Sequence, residues 1–398
     1  MKNVDDDMTQ RECALGEDNT ERYMYAHSGG SGHSEALPQS IDSQLRGSLK
    51  KAFSTVFEEA TSKEELDSEA RVVERMLALL SQIDAIHDGR ADIVSIKQPY
   101  KSVTQTRPHI SPLQRMQPTI QFPGSAGTVE DLTTGPLSIR VETQLMEMIQ
   151  VIKGLYDGPG NSHVLRSFEH ACHVTEQMDK ILKTLPVTSL LRHPMVHLAT
   201  LFAALIRDIN HPGVSNDVYG QKNHTVAFMY QNQSLAEQAA IDMGRHVFYE
   251  SSFADLREFL FGSSNEEELF EQVILHAVLA TDLGNKGLDD ARKSAVRKWK
   301  QLNKSEQATL QLEYLMQAGD LSYVLMEDLL KGRRQSDVIP DGFNNGLEFF
   351  QACVLPLAKQ VDLWLPTMHV LNVAERNFSM WKKTCPNSLK PLHESAET

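Results

Sequence analysis

Apolar residues recur along much of this chain at spacings of three and four, the period of a helix that buries one face. Val72, Met76, Leu79, Ile83 and Ile86 form one such stripe, within a helical pattern from 45 to 86 that carries Ser62 and Glu65 in capping-box spacing. Val141, Leu145, Met148, Ile149, Ile152 and Leu155 form a second stripe. Phe270, Val273, Ile274, Ala277 and Val278 form a third, capped by Ser264 with Glu267. A long helix is predicted over 305–331. No stretch alternates apolar and polar residues between hairpin turns, and no internal repeat is visible. The pattern predicts an all-α, compact multi-helix bundle over 137–383, with an N-terminal extension.

The flanks read differently. Residues 1–43 begin with Asp5, Asp6, Asp7, Glu12, Glu17, Asp18 and Glu21 and continue into a Gly/Ser run. So polar a segment cannot bury enough apolar surface to offset its ordering entropy, and disorder is expected. Segment 44–92 is the amphipathic helical part. Its stripe suits packing on the main domain, or pairing through 45–86 with a second copy or a paralogue. Residues 93–136 read as a Pro-rich linker, interrupted by Pro99, Pro108, Pro112, Pro118 and Pro123 and locally basic through Lys97, Lys101, Arg107 and Arg115. Residues 384–398 read as a C-terminal tail.

Charge and cysteine narrow the class. The 398 residues carry 39 basic and 53 acidic side chains, a net charge of −14, which argues against a nucleic-acid partner. No apolar run approaches the roughly 20 residues of a membrane span, and the acidic N-terminus has no apolar core of a secretory signal. Cys13, Cys172, Cys353 and Cys385 show no CxxC spacing, so neither a zinc knuckle nor a disulfide framework is expected. A cytoplasmic location is the expectation.

Four phrases carry candidate chemistry. Arg207-Asp208-Ile209-Asn210-His211-Pro212-Gly213-Val214-Ser215-Asn216 ends an apolar run. Phe168-Glu169-His170-Ala171-Cys172-His173-Val174 places imidazoles on an apolar helical stretch. Gly319-Asp320 and Ala280-Thr281-Asp282 set carboxylates in or after further apolar runs. A lone His on such a face is commonly a satisfied core residue. Carboxylates and histidines converging from several apolar helices are how an all-α bundle builds a metal centre.

In these phrases the sequence resembles the catalytic domain of class I cyclic nucleotide phosphodiesterases, within the HD-domain hydrolases. Residues 207–216 match the family phrase HDxxHPGxxN except at its first position. Ser234-Leu235-Ala236-Glu237-Gln238, Ala280-Thr281-Asp282 and Phe349-Phe350-Gln351, with Leu355-Pro356-Leu357-Ala358-Lys359, are similar to later family segments, in order. The resemblance spans about 137–383. It implies hydrolysis of a cyclic 3′,5′-phosphodiester at two divalent metals, usually zinc and magnesium. It also implies His170, Asp208 and Asp320 as metal ligands. His211, Glu237 and Thr281 would arrange the second ion's waters, and Phe349, with Phe350 beside it, would stack on the base of a bound cyclic nucleotide.

The same resemblance exposes departures. Arg207 stands where a metal histidine is expected, and a guanidinium has no lone pair to give a cation. Arg166 stands at the general-acid histidine, and it holds its proton too tightly to shuttle it at neutral pH. Gly346 replaces the base-orienting glutamine, Tyr323 an asparagine, and Ala239-Ala240 a histidine pair. Zinc binding is therefore doubtful. The reading is a family domain impaired in catalysis, with Arg207 forking between Asp208 and Asp320 in place of a metal. The alternatives are an active enzyme rebuilt around His163 and His173, and a cyclic-nucleotide or phosphate-binding regulator using the two arginines.

Overall fold

The computed structural model describes residues 63–88, 110–123, 136–157, 166–326 and 346–384. The expectations for 1–43, for 44–62, for 93–109 and 124–135 of the linker and for the tail after 384 lie outside the described residues, as does His163. Every regular element described is helical. The helices are α1 Lys63–His87, α2 Pro112–Arg115, α3 Ile139–Gly154, α4 Phe168–Thr184 and α5 Pro194–Ile206. Next come α6 Asn216–Lys222, α7 His224–Met229, α8 Leu235–Phe248, α9 Ala254–Leu260, α10 Ser264–Ala280 and α11 Lys286–Arg297. After them come α12 Lys304–Asp320, α13 Ser322–Leu325, α14 Gly346–Phe349, α15 Leu355–Trp364 and α16 Val370–Thr384. A π-helical turn, Phe350–Val354, joins α14 to α15.

Helix α5 is the axis of the bundle. Pro194 starts it at a position where a missing N–H does no harm. All thirteen of its residues are buried, as an all-round apolar helix requires. It packs most extensively against α4 and α10. The cap of helix α10 lies one residue before the sequence-based one: Ser263, rather than Ser264, accepts the N–H of Glu266. Helix α12 is shorter than the predicted 305–331. It ends at Asp320, because Leu321 turns to φ −90°, ψ 18°, outside helical geometry.

The N-terminal stripe is used within the chain. Val72, Met76, Leu79, Ile83 and Ile86 are all buried, and α1 packs on α4 and α5. Ion pairs flank the seam, from Arg75 to Asp179 and from Lys153 to Glu69. Within the described part of 45–86 the apolar stripe is spent on the chain's own helices and gives no support to a homodimer or a paralogue partner. Leu79→Ala should destabilise the fold by about 2–4 kcal/mol in denaturant melts, the usual effect of a cavity in a packed core.

The linker reading also changes. Residues 110–123 form a strap across the helices. Ser111 and Gln114 make a capping box around α2. Arg115 pairs with Asp242 at 2.7 Å, and Leu113 N–H donates to Gln238 at 3.0 Å. Gln117 N–H donates to Gln272 at 2.9 Å, and buried Ile120 N–H donates to Thr309 at 3.0 Å. Prolines break helices but leave every other backbone group able to bond to side chains of the bundle.

Candidate functional site

Three helices bring the first cluster together. Ser167 caps α4 by accepting the N–H of His170 at 3.1 Å, which fixes His170 in the first turn, buried. Helix α5 runs out of apolar residues at Ile206, so Arg207 and Asp208 follow where the chain leaves the core. Helix α12 supplies Asp320 as its last residue. Gly319 permits the close approach: a Cβ there would lie 2.4 Å from the sulfur of Met178 on α4. A larger residue there would force the Met178 side chain aside.

Arg207 occupies the middle of this cluster, with its side chain fully buried. Its Nε donates to Asp320 Oδ1 at 2.8 Å, and its Nη1 donates to the carbonyl of Ala204 at 2.8 Å. Nη2 lies 3.3 Å from Asp208 Oδ2, an ion-pair contact without hydrogen-bond alignment. Burial alone would lower the Arg207 pKa, but Asp208 and Asp320 outweigh it and raise it further. Burial also favours the neutral acid in Asp320, yet Arg207 and His170 hold that carboxylate below its ordinary range. Asp208 is raised by burial and by Asp320, against the opposing pull of Arg207, His170 and Arg166. His170 is pushed down by burial, so its ring is neutral at pH 7; its Nε2 stands 3.8 Å from Asp320 Oδ1.

A second cluster is organised by Asn216. Its Nδ2 donates to Glu237 Oε2 at 2.9 Å and to Asp282 Oδ2 at 3.1 Å, while its Oδ1 accepts Ala236 N–H at 2.9 Å. Burial and the neighbouring Asp282 push the Glu237 carboxyl up to about 8. The folded chain thus holds this proton more tightly than the unfolded chain, whose Glu titrates near 4.5. Stability should fall as pH rises from about 4.5 to about 8 and stay level above that. Glu237→Gln should abolish this slope and stabilise the protein by about 2 kcal/mol at pH 8, read from denaturant melts across that range.

Other expected site residues take different places. The Thr281 hydroxyl turns back to the carbonyl of Val278 at 2.7 Å and closes the end of α10. The His211 Nδ1 accepts Gly213 N–H at 3.0 Å, inside its own turn. Arg166 stands just before α4, near enough for its charge to act on Asp208. Phe349 and Phe350 were expected to face a base; both rings are wholly buried, and Phe350 packs against Phe378 and Trp381.

These residues do not fit the expected zinc. The gap between Asp208 and Asp320 is bridged by a guanidinium, which cannot ligate a cation and repels one. Among the described residues, no group of three or more His, Cys, Asp or Glu side chains is arranged to hold a metal ion.

Sequence reasoning gave no role to Asn216 or Asp282, although both lay inside quoted phrases. For Asp282 the available signal was a carboxylate just after the end of buried α10; for Asn216 it was a polar residue closing the phrase that follows α5. Tyr156 was missed altogether: its buried hydroxyl donates to the carbonyl of Leu205 at 2.8 Å and supports the end of α5.

The domain has clear relatives. The family model described as 3′5′-cyclic nucleotide phosphodiesterase matches residues 166–346. A probable 3′,5′-cyclic-AMP phosphodiesterase of Caenorhabditis elegans is 30% identical over 124 residues, 31% of this chain and 18% of that protein. A dual specificity calcium/calmodulin-dependent 3′,5′-cyclic nucleotide phosphodiesterase of Mus musculus is 24% identical over 209 residues, 50% of this chain and 35% of that protein. The chain therefore spans only a minor part of these relatives' length. The phosphodiesterase domain of a Salpingoeca rosetta rhodopsin phosphodiesterase shares the fold, with a TM-score of 0.53 at 18% identity, over 62% of this chain and 82% of that one. Residues 166–346 are thus similar in sequence to the 3′5′-cyclic nucleotide phosphodiesterase family, and the helical bundle is similar in fold to a phosphodiesterase domain.

Proposed function

We propose that this chain is a phosphodiesterase-family domain that has lost metal-dependent hydrolysis and keeps a regulatory, binding role in cyclic-nucleotide signalling. The observation that carries the reading is the Arg207 bridge between Asp208 and Asp320. Hydrolysis of a phosphodiester concentrates negative charge on the phosphoryl oxygens in the transition state, and preorganised positive charge must meet it. Here the buried positive charge is already neutralised by two carboxylates. Arg166 is the other cation near Asp208. It can hold a phosphate by its planar fork, but it cannot protonate a leaving oxygen at neutral pH. His170 is neutral and sits beside Asp320.

A cyclic nucleotide, or a phosphate group alone, is the ligand class that this reading allows. A cytoplasmic location goes with it, supported by the free thiols of Cys172 and Cys353. No helix among the described residues is long and apolar enough to cross a membrane.

The test is turnover of cyclic AMP and cyclic GMP by pure protein with added magnesium, manganese or zinc. No product above a buffer control is expected. Turnover that disappears in Asp208→Ala would overturn the reading.

A further inference from the structure

We infer that the outer face of α11, with the turn that follows it, is a docking surface for an anionic lipid bilayer. Residues 286–304 carry seven basic and two acidic side chains, in a chain whose net charge is −14. Lys286, Lys293, Arg297, Lys298, Lys300 and Lys304 are all exposed. Arg292 is buried, on the side of α11 where Leu288, Ala295 and Val296 pack against the core. The 3.6-residue helical repeat sets Lys286, Lys293 and Arg297 in one line on the opposite, outer side. Asp289 is taken up by Lys293, at 2.5 Å, and Asp290 is the exposed acid on this face. Beyond the turn, the Glu306 carboxylate accepts Asn303 N–H at 2.7 Å. Among the described residues, Lys286, Arg297, Lys298, Lys300 and Lys304 form no ion pair.

Helix stability does not account for these cations. The helix dipole favours Arg297 in the last turn of α11, but it opposes Lys286 at the first position of α11 and Lys304 at the first position of α12. Lys293 and Arg297 stand one turn apart on the same face and repel each other. An anionic surface laid against the face relieves that repulsion. The apolar groups nearby favour a bilayer over a soluble polyanion. Trp299 lies half-buried between Lys298 and Lys300, an amphipathic ring among cations, the composition of a membrane interface. Its ring packs on Trp364 with centroids 5.0 Å apart, so it is not offered as a platform for a nucleobase. Leu363, next to Trp364 on α15, is 76% exposed and would be covered by acyl chains at the boundary. A long polyanion would also run along the acidic remainder of the chain. A bilayer meets one face, and salt at about 0.1 M screens charges more than about 10 Å away.

The docking face shares no residue with the Arg207 cluster, so its test stands apart from the fate of that bridge. The experiment is flotation of the full chain with vesicles of phosphatidylcholine alone or of phosphatidylcholine with phosphatidylserine. Binding is expected to the serine-containing vesicles at about 0.1 M salt, and to be lost at about 0.5 M salt or without the anionic lipid. Each basic residue at such a surface is worth about fivefold in partition, so Lys286→Gln with Arg297→Gln should weaken binding about 25-fold. The two changes alter the helix dipole term in opposite directions, so the melting temperature should stay near that of the wild type. Lys180→Gln with Lys222→Gln changes net charge equally at exposed positions outside this face and should leave binding intact. Arg297→Lys keeps the charge and should also bind as the wild type does. Failure of the wild type to float with anionic vesicles, an equal loss in both double variants, or capture by an RNA oligonucleotide but not by vesicles would overturn the inference.

Discussion

Arg207→Met will destabilise the protein by about 3–5 kcal/mol, because it removes one partner of a buried charge cluster and leaves the others uncompensated. Methionine keeps much of the side chain's length, so the loss is electrostatic rather than a matter of volume. Asp208 and Asp320 would face each other inside the bundle with nothing between them. Both would take up protons to escape that repulsion, so their folded pKa values would rise. The folded variant would then bind more protons than the unfolded chain. Its stability would therefore fall as pH increases, and the deficit relative to wild type would be larger at pH 8 than at pH 5. Adding Asp208→Asn and Asp320→Asn to Arg207→Met should recover most of the loss, since no buried charge is then left unpaired. Denaturant melts of these variants at the two pH values measure both effects. A wild-type-like Arg207→Met would mean that the guanidinium is not the element that neutralises the carboxylates.

Arg207→His is expected to convert the same cluster into a metal site. With His170, Asp208 and Asp320 it places two imidazoles and two carboxylates around the space that the guanidinium now fills. Four nitrogen and oxygen donors in that arrangement are what zinc prefers. Zinc binds the folded chain and not a preformed site in the unfolded one, so it should stabilise the variant by about 2.7 kcal/mol at a hundredfold excess over its dissociation constant. The wild type should show no such zinc dependence. Combining this change with Arg166→His restores the second departed position, and any gain in cyclic-nucleotide turnover should appear only in the double variant. Thermal melts with and without zinc check the first claim, and product assays check the second.

Much of this could be read from the chain. The threefold and fourfold spacing in α1, α3 and α10 marked buried faces, and each of those faces is buried. The apolar run ending at Ile206 marked a buried helix with candidate site residues just beyond it; that this helix is the axis of the bundle shows only in the packing. The fork of Arg207 between two aspartates followed from the resemblance, which set Asp208 and Asp320 as a cation's ligands, together with charge: a guanidinium in the cation's place needs carboxylate partners. What was not legible depended on contacts between distant segments. Proline density in 93–136 signals broken helix but not whether the segment floats, and only the bonds from Arg115, Gln117 and Ile120 to α8, α10 and α12 show the strap. The stripe of α1 does not name its partner, which proved to be α4 and α5. Phe349 and Phe350 illustrate the same limit. Their position along the chain matched a family segment, while their burial depends on packing between distant segments, as with Phe350 against Phe378 and Trp381.

The bridging role of Arg207 is tested most directly by elemental analysis of the purified wild-type chain after expression in zinc-supplemented medium. An arginine that occupies the cation position predicts zinc far below one equivalent per chain, with no increase after dialysis against zinc and removal of the excess. Tightly held zinc at one per chain, lost in Asp208→Ala, would contradict it.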